Sequence, residues 1–379
     1  MRNSIIGLIV GVVLGIVLGA TVIAPRLQRT PPAADGAQAP PPAAADIAKQ
    51  LPRALVARPA VSLDMASAFA PEVPVAGDVV TRIDNRIWEI SRGQIEIRAH
   101  RPGELAPVAS LFEAVGSGAV DAAFASPGIA GESVPALYLF AGMPFGPSAD
   151  EFLAWMQTGG GQALLNEINA ARQVHGIPCG LLPATAFGWF RRELLAPQDL
   201  KELRMQVSGL GALTLARLGV DALDLPMGNL MLGLEQGEVD AISHGAPAID
   251  LPMEFGTWLK VYYPQGWTQS LTMLELMINL KKWAQLNAAQ QSQIETLCGD
   301  NIRFSLAAGE AAQYRALQEI AASGVQMYRL PPAIRDALER GWQQVVQQMI
   351  NEDAEFRRVW QSLTAFRADF AIWRDLSRR

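Results

Sequence analysis

The chain has 379 residues, of which 50% are apolar and 18% charged, and its formal net charge is −6. This apolar fraction excludes a disordered chain, and the mild acidity argues against a nucleic-acid binder, which needs a basic surface to neutralise phosphates. Two cysteines and three widely separated histidines exclude a disulfide framework, a thiolate zinc site and a helical histidine motif. We therefore expect no nucleic-acid partner, no metal and no other cofactor.

The first predicted element is an apolar segment near the amino terminus. Residues 5–24 carry no charge and would span about 30 Å as a helix, the thickness of a bilayer core. Because Pro25 follows directly and should hinder cleavage, the segment favours an uncleaved transmembrane anchor, with a cleaved secretory signal as the alternative. Glycine recurs at every fourth position, which predicts a face for packing on another membrane helix, although glycine is common in such segments. These glycines are Gly7, Gly11, Gly15 and Gly19.

The next segment, residues 25–60, is rich in proline and alanine and cannot build a core. We expect a semi-stiff linker, partly in the polyproline conformation, that holds the following domain away from the membrane.

From residue 61 onward, predicted strands and helices alternate, which is typical of a mostly parallel sheet covered by helices. Hydrophobic periodicity predicts helices over 77–91, 104–115 and 210–218 and strands over 94–99 and 203–207. The three glycines at 159–161 predict a turn between two helices.

A short internal repeat points to two lobes. Residues 118–122 (GAVDA) recur as 237–241 (GEVDA), and each copy predicts a helix end at glycine, a buried strand and a small-residue loop. Loops at the carboxyl ends of strands are where open α/β sheets bind ligands. We therefore expect two lobes that face a shared cleft. The predicted limits are about 61–183 plus parts of the C-terminal region for lobe 1, about 184–280 for lobe 2, and about 282–379 for a helical tail.

The tail carries an apolar stripe with a helical period from Ile334 to Trp373. We expect this stripe to pack on the core, with a contact to a second copy of the chain as the alternative.

No catalytic motif is present, so we do not expect an enzyme. The sequence has no nucleophile elbow, zinc-protease motif, phosphate loop or dinucleotide fingerprint. Cys179 and Cys298 either form a disulfide or remain buried thiols. His244 is the one histidine in a predicted ligand loop, where both a structural and a ligand-binding role are open.

Several sequence blocks occur in a fixed order between Met65 and Trp267. They include 101–105 (RPGEL), 141–146 (AGMPFG), 188–193 (GWFRRE), 199–205 (DLKELRM) and 262–267 (YYPQGW). In this order the blocks resemble the extracytoplasmic solute-binding subunits of TRAP transporters, the DctP-type family, and most of all its 2-oxoacid-binding branch. The resemblance implies two α/β lobes, a hinge, a ligand site in the cleft and a periplasmic setting.

The same resemblance implies an altered ligand pocket. The family arginine that grips a ligand carboxylate is replaced by Gln206, which can donate a hydrogen bond but cannot neutralise a charge. Ser243 and His244 replace a Glu-Trp pair that contributes to metal and ligand binding in that branch, and Thr185 is the nearest match for a glutamine. Residues 127–129 replace aromatic residues. Arg191, Arg192 or Arg204 could supply the missing charge.

We therefore predict a cleft ligand site and two alternative functions. The predicted lining comprises Ser126, Thr185, Phe187, Trp189, Arg191, Gln206, Ser243, His244 and Trp267. The first alternative is a membrane-tethered TRAP-type binding protein that closes on a small organic ligand, a carboxylate or a neutral molecule, and passes it to membrane subunits. The second is a repurposed scaffold that has lost its ligand site and serves as an accessory subunit of a membrane complex.

Overall fold

The structure is a computed structural model, and it describes residues 59–377. The predicted membrane segment, its glycine face and nearly all of the linker lie outside this range. Among the described helices, none is long and apolar enough to cross a membrane.

Strands and helices alternate through the described residues, as the sequence predicts. The strands are β1 (Val61–Ser67), β2 (Ile95–His100), β3 (Ala122–Ala125), β4 (Val174–Leu182), β5 (Gly188–Phe190), β6 (Arg204–Gln206), β7 (Asp221–Leu223), β8 (Ala241–Ile242), β9 (Val261–Tyr263), β10 (Thr272–Asn279) and β11 (Gln326–Met327). The α-helices are α1 (Ala76–Ile90), α2 (Leu111–Ser117), α3 (Tyr138–Ala141), α4 (Ala149–Thr158), α5 (Gly161–Ala170), α6 (Gly209–Ala216), α7 (Met227–Gln236), α8 (Pro247–Asp250), α9 (Leu280–Ala284), α10 (Ala288–Ala322), α11 (Pro332–Glu352) and α12 (Ala354–Ser377).

The strands form two sheets, one in each lobe. The first sheet has the order β2-β1-β3-β10-β4, and the second has the order β11-β9-β5-β8-β6-β7. Pairing is parallel except where β10 meets β3 and β4 and where β5 meets β8 and β9. The predicted two-lobed α/β fold with a helical C-terminal region is therefore confirmed.

One predicted boundary is wrong. The sequence assigned everything up to about residue 280 to lobe 2, but β10 pairs along its whole length with β4 of the first sheet. Nearly every residue of this strand is buried, so its sequence shows no alternation of apolar and polar residues. The sequence therefore does not indicate that the chain returns to the first sheet.

Helix α1 illustrates why the elements form where they do. Its apolar residues recur at three- and four-residue spacing, and Val79, Val80, Ile83 and Ile87 are buried against the first sheet. The predicted helix over 104–115 begins later than expected, with a 3₁₀ turn at Val108–Ser110 followed by α2. Pro107 is the reason. Its own backbone is extended, and a proline also disfavours helix in the residue before it.

The internal repeat has the geometry that the sequence predicts. Gly118 and Gly237 end α2 and α7 with φ values of 80° and 74°, a left-handed conformation that glycine adopts without steric cost. Each is followed by a short buried strand, β3 or β8. The glycines at 159–161 also form the predicted turn, between α4 and α5.

Two antiparallel chain segments connect the lobes, residues 183–187 and 264–271. The amide N–H of Thr185 donates to the carbonyl of Gln269 at 3.1 Å. This close approach requires Gly266, because a Cβ there would lie 2.2 Å from the carbonyl oxygen of Thr185. We call these paired segments the hinge, because segments that link two lobes are where the backbone changes when lobes move.

The tail adds a third connection. Helix α10 has 35 residues and is about 52 Å long. It buries Ile294 and Leu297 in the core of the first sheet and Ile320 in the core of the second. Its Cys298 forms a disulfide with Cys179 on β4, which resolves the alternative left open by the sequence.

The apolar stripe of the tail packs mainly on the core, as expected. Ile334, Leu338 and Trp342 on α11 and Phe356 on α12 are buried. Only the end of α12 departs from this pattern, since Trp373 is 64% exposed.

Candidate ligand site in the cleft between the two sheets

The parallel strands of each sheet place their carboxyl ends at one edge, and the two edges face each other. On the second sheet, β6 ends at Gln206, β7 leads into Asp224, and β8 leads into Ser243 and His244. On the first sheet, β3 leads into Ser126. Since such edges are where open α/β sheets bind ligands, the structure brings the polar members of the predicted set to the expected place.

Gln206 lies at the centre of the second edge and is half-buried. Its side-chain Oε1 accepts a hydrogen bond from the amide N–H of Leu225 at 2.9 Å, and its backbone carbonyl accepts one from Ser243. The amide nitrogen of its side chain has no partner among the described residues. Gln206 therefore presents an uncharged donor where the family resemblance implies a guanidinium.

Ser243 and His244 form the loop that follows β8. The Ser243 hydroxyl donates to the carbonyl of Ala186 at 3.0 Å and so ties this loop to the hinge segment. The His244 ring is exposed at the cleft surface and stands edge-on to Phe255, with 5.8 Å between ring centroids. Although the residue reaches solvent, nearby protein atoms partly desolvate the ring and lower its pKa, which favours the neutral imidazole.

Two other predicted residues contribute hydroxyl groups. Thr185 is buried in the hinge, and its Oγ1 lies 3.1 Å from Oε1 of Gln269. Ser126 begins a short 3₁₀ helix and accepts from the amide N–H of Gly128 at 3.4 Å. The Thr185 hydroxyl is therefore engaged within the hinge, whereas the Ser126 hydroxyl can still donate.

The predicted aromatic residues form the wall behind this edge. Phe187 is fully buried and packs against Trp267, with 5.8 Å between ring centroids. Trp189 is also buried and packs at a tilt against Tyr262, with 4.5 Å between ring centroids. The indole Nε1 of Trp267 is buried without a hydrogen-bond partner among the described residues. These residues shape the site through packing.

A buried acid supports the wall from behind. Trp189 Nε1 donates to Oδ2 of Asp250 at 2.9 Å, and the carboxyl group is completely buried. Desolvation raises the pKa of Asp250 well above its usual value, against the opposing hydrogen bond from Trp189. Asp250 therefore fixes the orientation of the indole. Sequence reasoning missed this residue, because a lone aspartate in a short helix carries no pattern.

The structure does not bring Arg191 to the predicted site. Strand β5 is antiparallel to β8, so Gly188 lies at the cleft edge and Arg191 is about 10 Å further along. Its Nε and Nη2 donate to the carbonyls of Val239 and Leu234 at 2.9 and 2.6 Å. Arg191 therefore caps the carboxyl end of α7.

The other two candidate arginines are also engaged elsewhere. Arg204 starts β6 and forms a two-pronged ion pair with Asp240, with both nitrogen–oxygen distances at 2.9 Å. Arg192 is exposed and pairs with Asp199 at 3.2 Å. None of the three arginines can replace the charge that Gln206 lacks.

Tyr138 is a site residue that sequence reasoning missed. Its ring lies beside the loop of Ser126: a Cβ on Gly128 would lie 3.6 Å from Ser126 Oγ and 3.8 Å from Tyr138 Cδ1. On the opposite side, a Cβ on Gly209 would lie 3.3 Å from Tyr138 Cε1. Gly209 starts α6, three residues after Gln206. The two lobes therefore touch at Tyr138. The sequence does not mark this residue, because its helix of four residues is too short to show a hydrophobic period.

The described part of the chain contains no group of three or more His, Cys, Asp or Glu side chains able to hold a metal ion. Apart from the carboxylate of Asp224, the cleft edge offers uncharged donors and acceptors on two lobes joined by a hinge. This arrangement is typical of proteins that bind a small ligand between two lobes.

Comparison with known families agrees with this class. The family model for bacterial extracellular solute-binding proteins, family 7 (DctP), matches residues 65–353. The chain belongs to this family, as the sequence blocks indicate.

Individual relatives are similar over most of their length. A monocarboxylate 2-oxoacid-binding periplasmic protein from Nostoc sp. (strain PCC 7120) is 29% identical over 291 residues, covering 77% of this chain and 80% of that protein. A TRAP transporter solute-binding protein from Bordetella bronchiseptica RB50 is 28% identical with a TM-score of 0.81, covering 84% of this chain and 95% of that one. That structure is a mixed-occupancy dimer with copurified calcium and picolinate in one active site. A periplasmic solute-binding protein from Colwellia psychrerythraea, 24% identical with a TM-score of 0.80 over 84% of this chain and 97% of that one, shares the fold.

Proposed function

We propose that this protein is a TRAP-type solute-binding protein that takes a small organic ligand into the cleft between its two sheets. The observation that carries the proposal is the convergence of Ser126 and Tyr138 from one lobe with Gln206, Ser243 and His244 from the other. Closure about the hinge would bury a ligand between these groups, and contacts made only in the closed form would stabilise that form.

The ligands of the relatives support a small organic molecule as cargo. The Nostoc relative binds monocarboxylate 2-oxoacids, and the Bordetella relative holds picolinate. Both proteins are similar to this chain over most of its length, so the size class of the ligand is carried over to this chain.

The calcium ion of the Bordetella relative does not fit the residues found here. Calcium takes six to eight oxygen ligands, usually with several carboxylates. At the cleft edge of the second sheet, Asp224 supplies a single carboxylate, and the Ser243 and Thr185 hydroxyls are engaged by Ala186 and Gln269. We therefore include no metal in the proposed binding mode.

The setting of the protein belongs to the same proposal. We propose that the amino-terminal apolar segment anchors the chain in the inner membrane, with the globular domain in the periplasm and TRAP membrane subunits as partners. A homodimer is a further prediction, which light scattering of the purified full-length chain would measure. The comparisons do not support the alternative of an accessory subunit with a lost ligand site.

A thermal-shift screen of the full-length protein in detergent tests the proposal. The compounds are small carboxylic acids, keto acids, amides, alcohols and amines. We expect at least one class to raise the melting temperature, because a ligand that binds only the folded state stabilises it by mass action. Gln206→Ala should abolish that shift, and Arg191→Ala, at the far edge of the sheet, should retain it. No stabilisation by any class would contradict the proposal.

A further inference from the structure

The segments that form the cleft edge of the second sheet contain no lysine or arginine. They are 184–187 (ATAF), 206–208 (QVS), 224–226 (DLP), 243–245 (SHG) and 264–269 (PQGWTQ). The guanidinium groups of Arg191 and Arg204 are held at the opposite edge by backbone carbonyls and by Asp240. A carboxylate that entered the cleft would lose its water and gain no counter-charge from this sheet.

Two carboxylates instead stand near the point where the lobes touch. Asp224 directly follows β7 at the cleft edge of the second sheet, and Glu132 directly follows Gly131, which packs against the ring of Tyr138. Burial and the negative charges of these two acids raise the pKa of Tyr138. Asp224 immediately precedes Leu225, whose amide N–H lies 2.9 Å from Oε1 of Gln206. Negative charge at this position repels an approaching anion.

Three uncharged side-chain groups at the cleft are free to contact a ligand. The amide nitrogen of Gln206, the imidazole of His244 and the hydroxyl of Tyr138 have no hydrogen-bond partner within residues 59–377. They supply donors and acceptors that match an amide, an alcohol or an amine.

We propose that the cleft selects a small polar ligand without negative charge, either an uncharged amide or alcohol or a protonated amine, and that Gln206 and Asp224 determine this selectivity. This inference rests on the proposed function, since it names the ligand class of the same cleft.

Calorimetric titration of the full-length protein with three compounds of one carbon frame tests the inference. The compounds differ only in their terminal group. This group is an anionic carboxylate in lactate, a neutral amide in lactamide and a cationic amine in 1-amino-2-propanol. We expect lactamide or 1-amino-2-propanol to bind at least about tenfold more tightly than lactate, because the cleft edge of the second sheet gives the anion no counter-charge.

The two proposals fail in different ways. Tighter binding of lactate, or an anion as the strongest stabiliser in the thermal-shift screen, would overturn the ligand class and leave the binding function intact. Absence of any binding in both experiments would remove both proposals.

Charge variants test the two selectivity residues directly. Asp224→Asn should strengthen lactate binding about threefold or more, because it removes a nearby negative charge, and should leave lactamide binding unchanged. Asp221→Asn is the matched control, since Asp221 pairs with Arg204 in register at the far end of β6 and β7. Gln206→Arg should invert the preference toward lactate. An unchanged ratio of lactate to lactamide affinity in both Asp224→Asn and Gln206→Arg would overturn the inference.

Discussion

At the scale of single residues, a buried acid and a buried amide meet in the core of lobe 1. Glu275 on β10 and Asn169 on α5 are fully buried, and Asn169 Nδ2 donates to Glu275 Oε1 at 2.8 Å. Glu275 Oε2 and Asn169 Oδ1, both acceptors, have no partner among the described residues. Desolvation raises the pKa of Glu275 to about 8, against the opposing effect of Asn169. Glu275 is therefore protonated at neutral pH, which gives Oε2 a hydrogen to donate.

The Glu275 carboxyl makes stability depend on pH in a defined direction. Its pKa is higher in the folded chain than in the unfolded one, so its contribution is complete below about pH 4.5 and is lost as the pH rises toward 8. We expect Glu275→Gln, which keeps a neutral group of the same shape, to gain stability relative to the parent between pH 5 and pH 8. Chemical denaturation at several pH values measures this gain. Glu235→Gln, at an exposed site, is the control. If the unfolding free energies of the parent and of Glu275→Gln change with pH in parallel, the prediction is wrong.

At the scale of elements, the strand–helix alternation and the glycine helix ends were predictable because they are local properties of the sequence. The placement of Arg191 was not, because it depends on the direction of β5 relative to β8, which only pairing decides. The return of β10 to the first sheet escaped prediction for a similar reason: a strand buried on both faces shows no alternation. The sequence predicts Gln206, Ser243 and His244 at strand ends, where the structure has them. Tyr138 could not be predicted, because its place in the site depends on the contact between the lobes.

The paired hinge segments give a prediction about a single glycine. A Cβ at Gly266 would lie 2.2 Å from the Thr185 carbonyl oxygen, and neither backbone can move without breaking the pairing. We expect Gly266→Ala to destabilise the protein by about 2 kcal/mol or more. Gly299→Ala is a matched control for which we expect the opposite effect on stability. It lies within α10 with nothing inside 4 Å of the added methyl, and should stabilise by about 1 kcal/mol. Urea denaturation compares the two, and equal effects would contradict this account of the hinge.

At the scale of the whole molecule, the disulfide connects the first sheet to the helix that spans both lobes. Cys179 and Cys298 are 119 residues apart in sequence, and a link that closes so long a loop restricts the unfolded chain strongly. A disulfide also fits the periplasm, where thiols are oxidised.

Removal of this disulfide should lower the stability of the folded chain. We expect the double variant Cys179→Ser with Cys298→Ser to lose about 4 kcal/mol of unfolding free energy. Guanidinium denaturation with and without reductant measures the loss. The parent should become less stable on reduction, while the double variant should not respond. A parent that is indifferent to reductant would contradict the prediction.

The central claim is that a ligand binds between the lobes and draws them together. Hydrogen–deuterium exchange of the full-length protein, with and without the strongest stabiliser from the thermal-shift screen, tests this most directly. We predict slower exchange in the loops of both lobes that meet at the cleft, residues 126–138 on one side and 206–209 and 243–245 on the other. Protection confined to one lobe, or to the opposite edge of the second sheet around Arg191, would contradict the account.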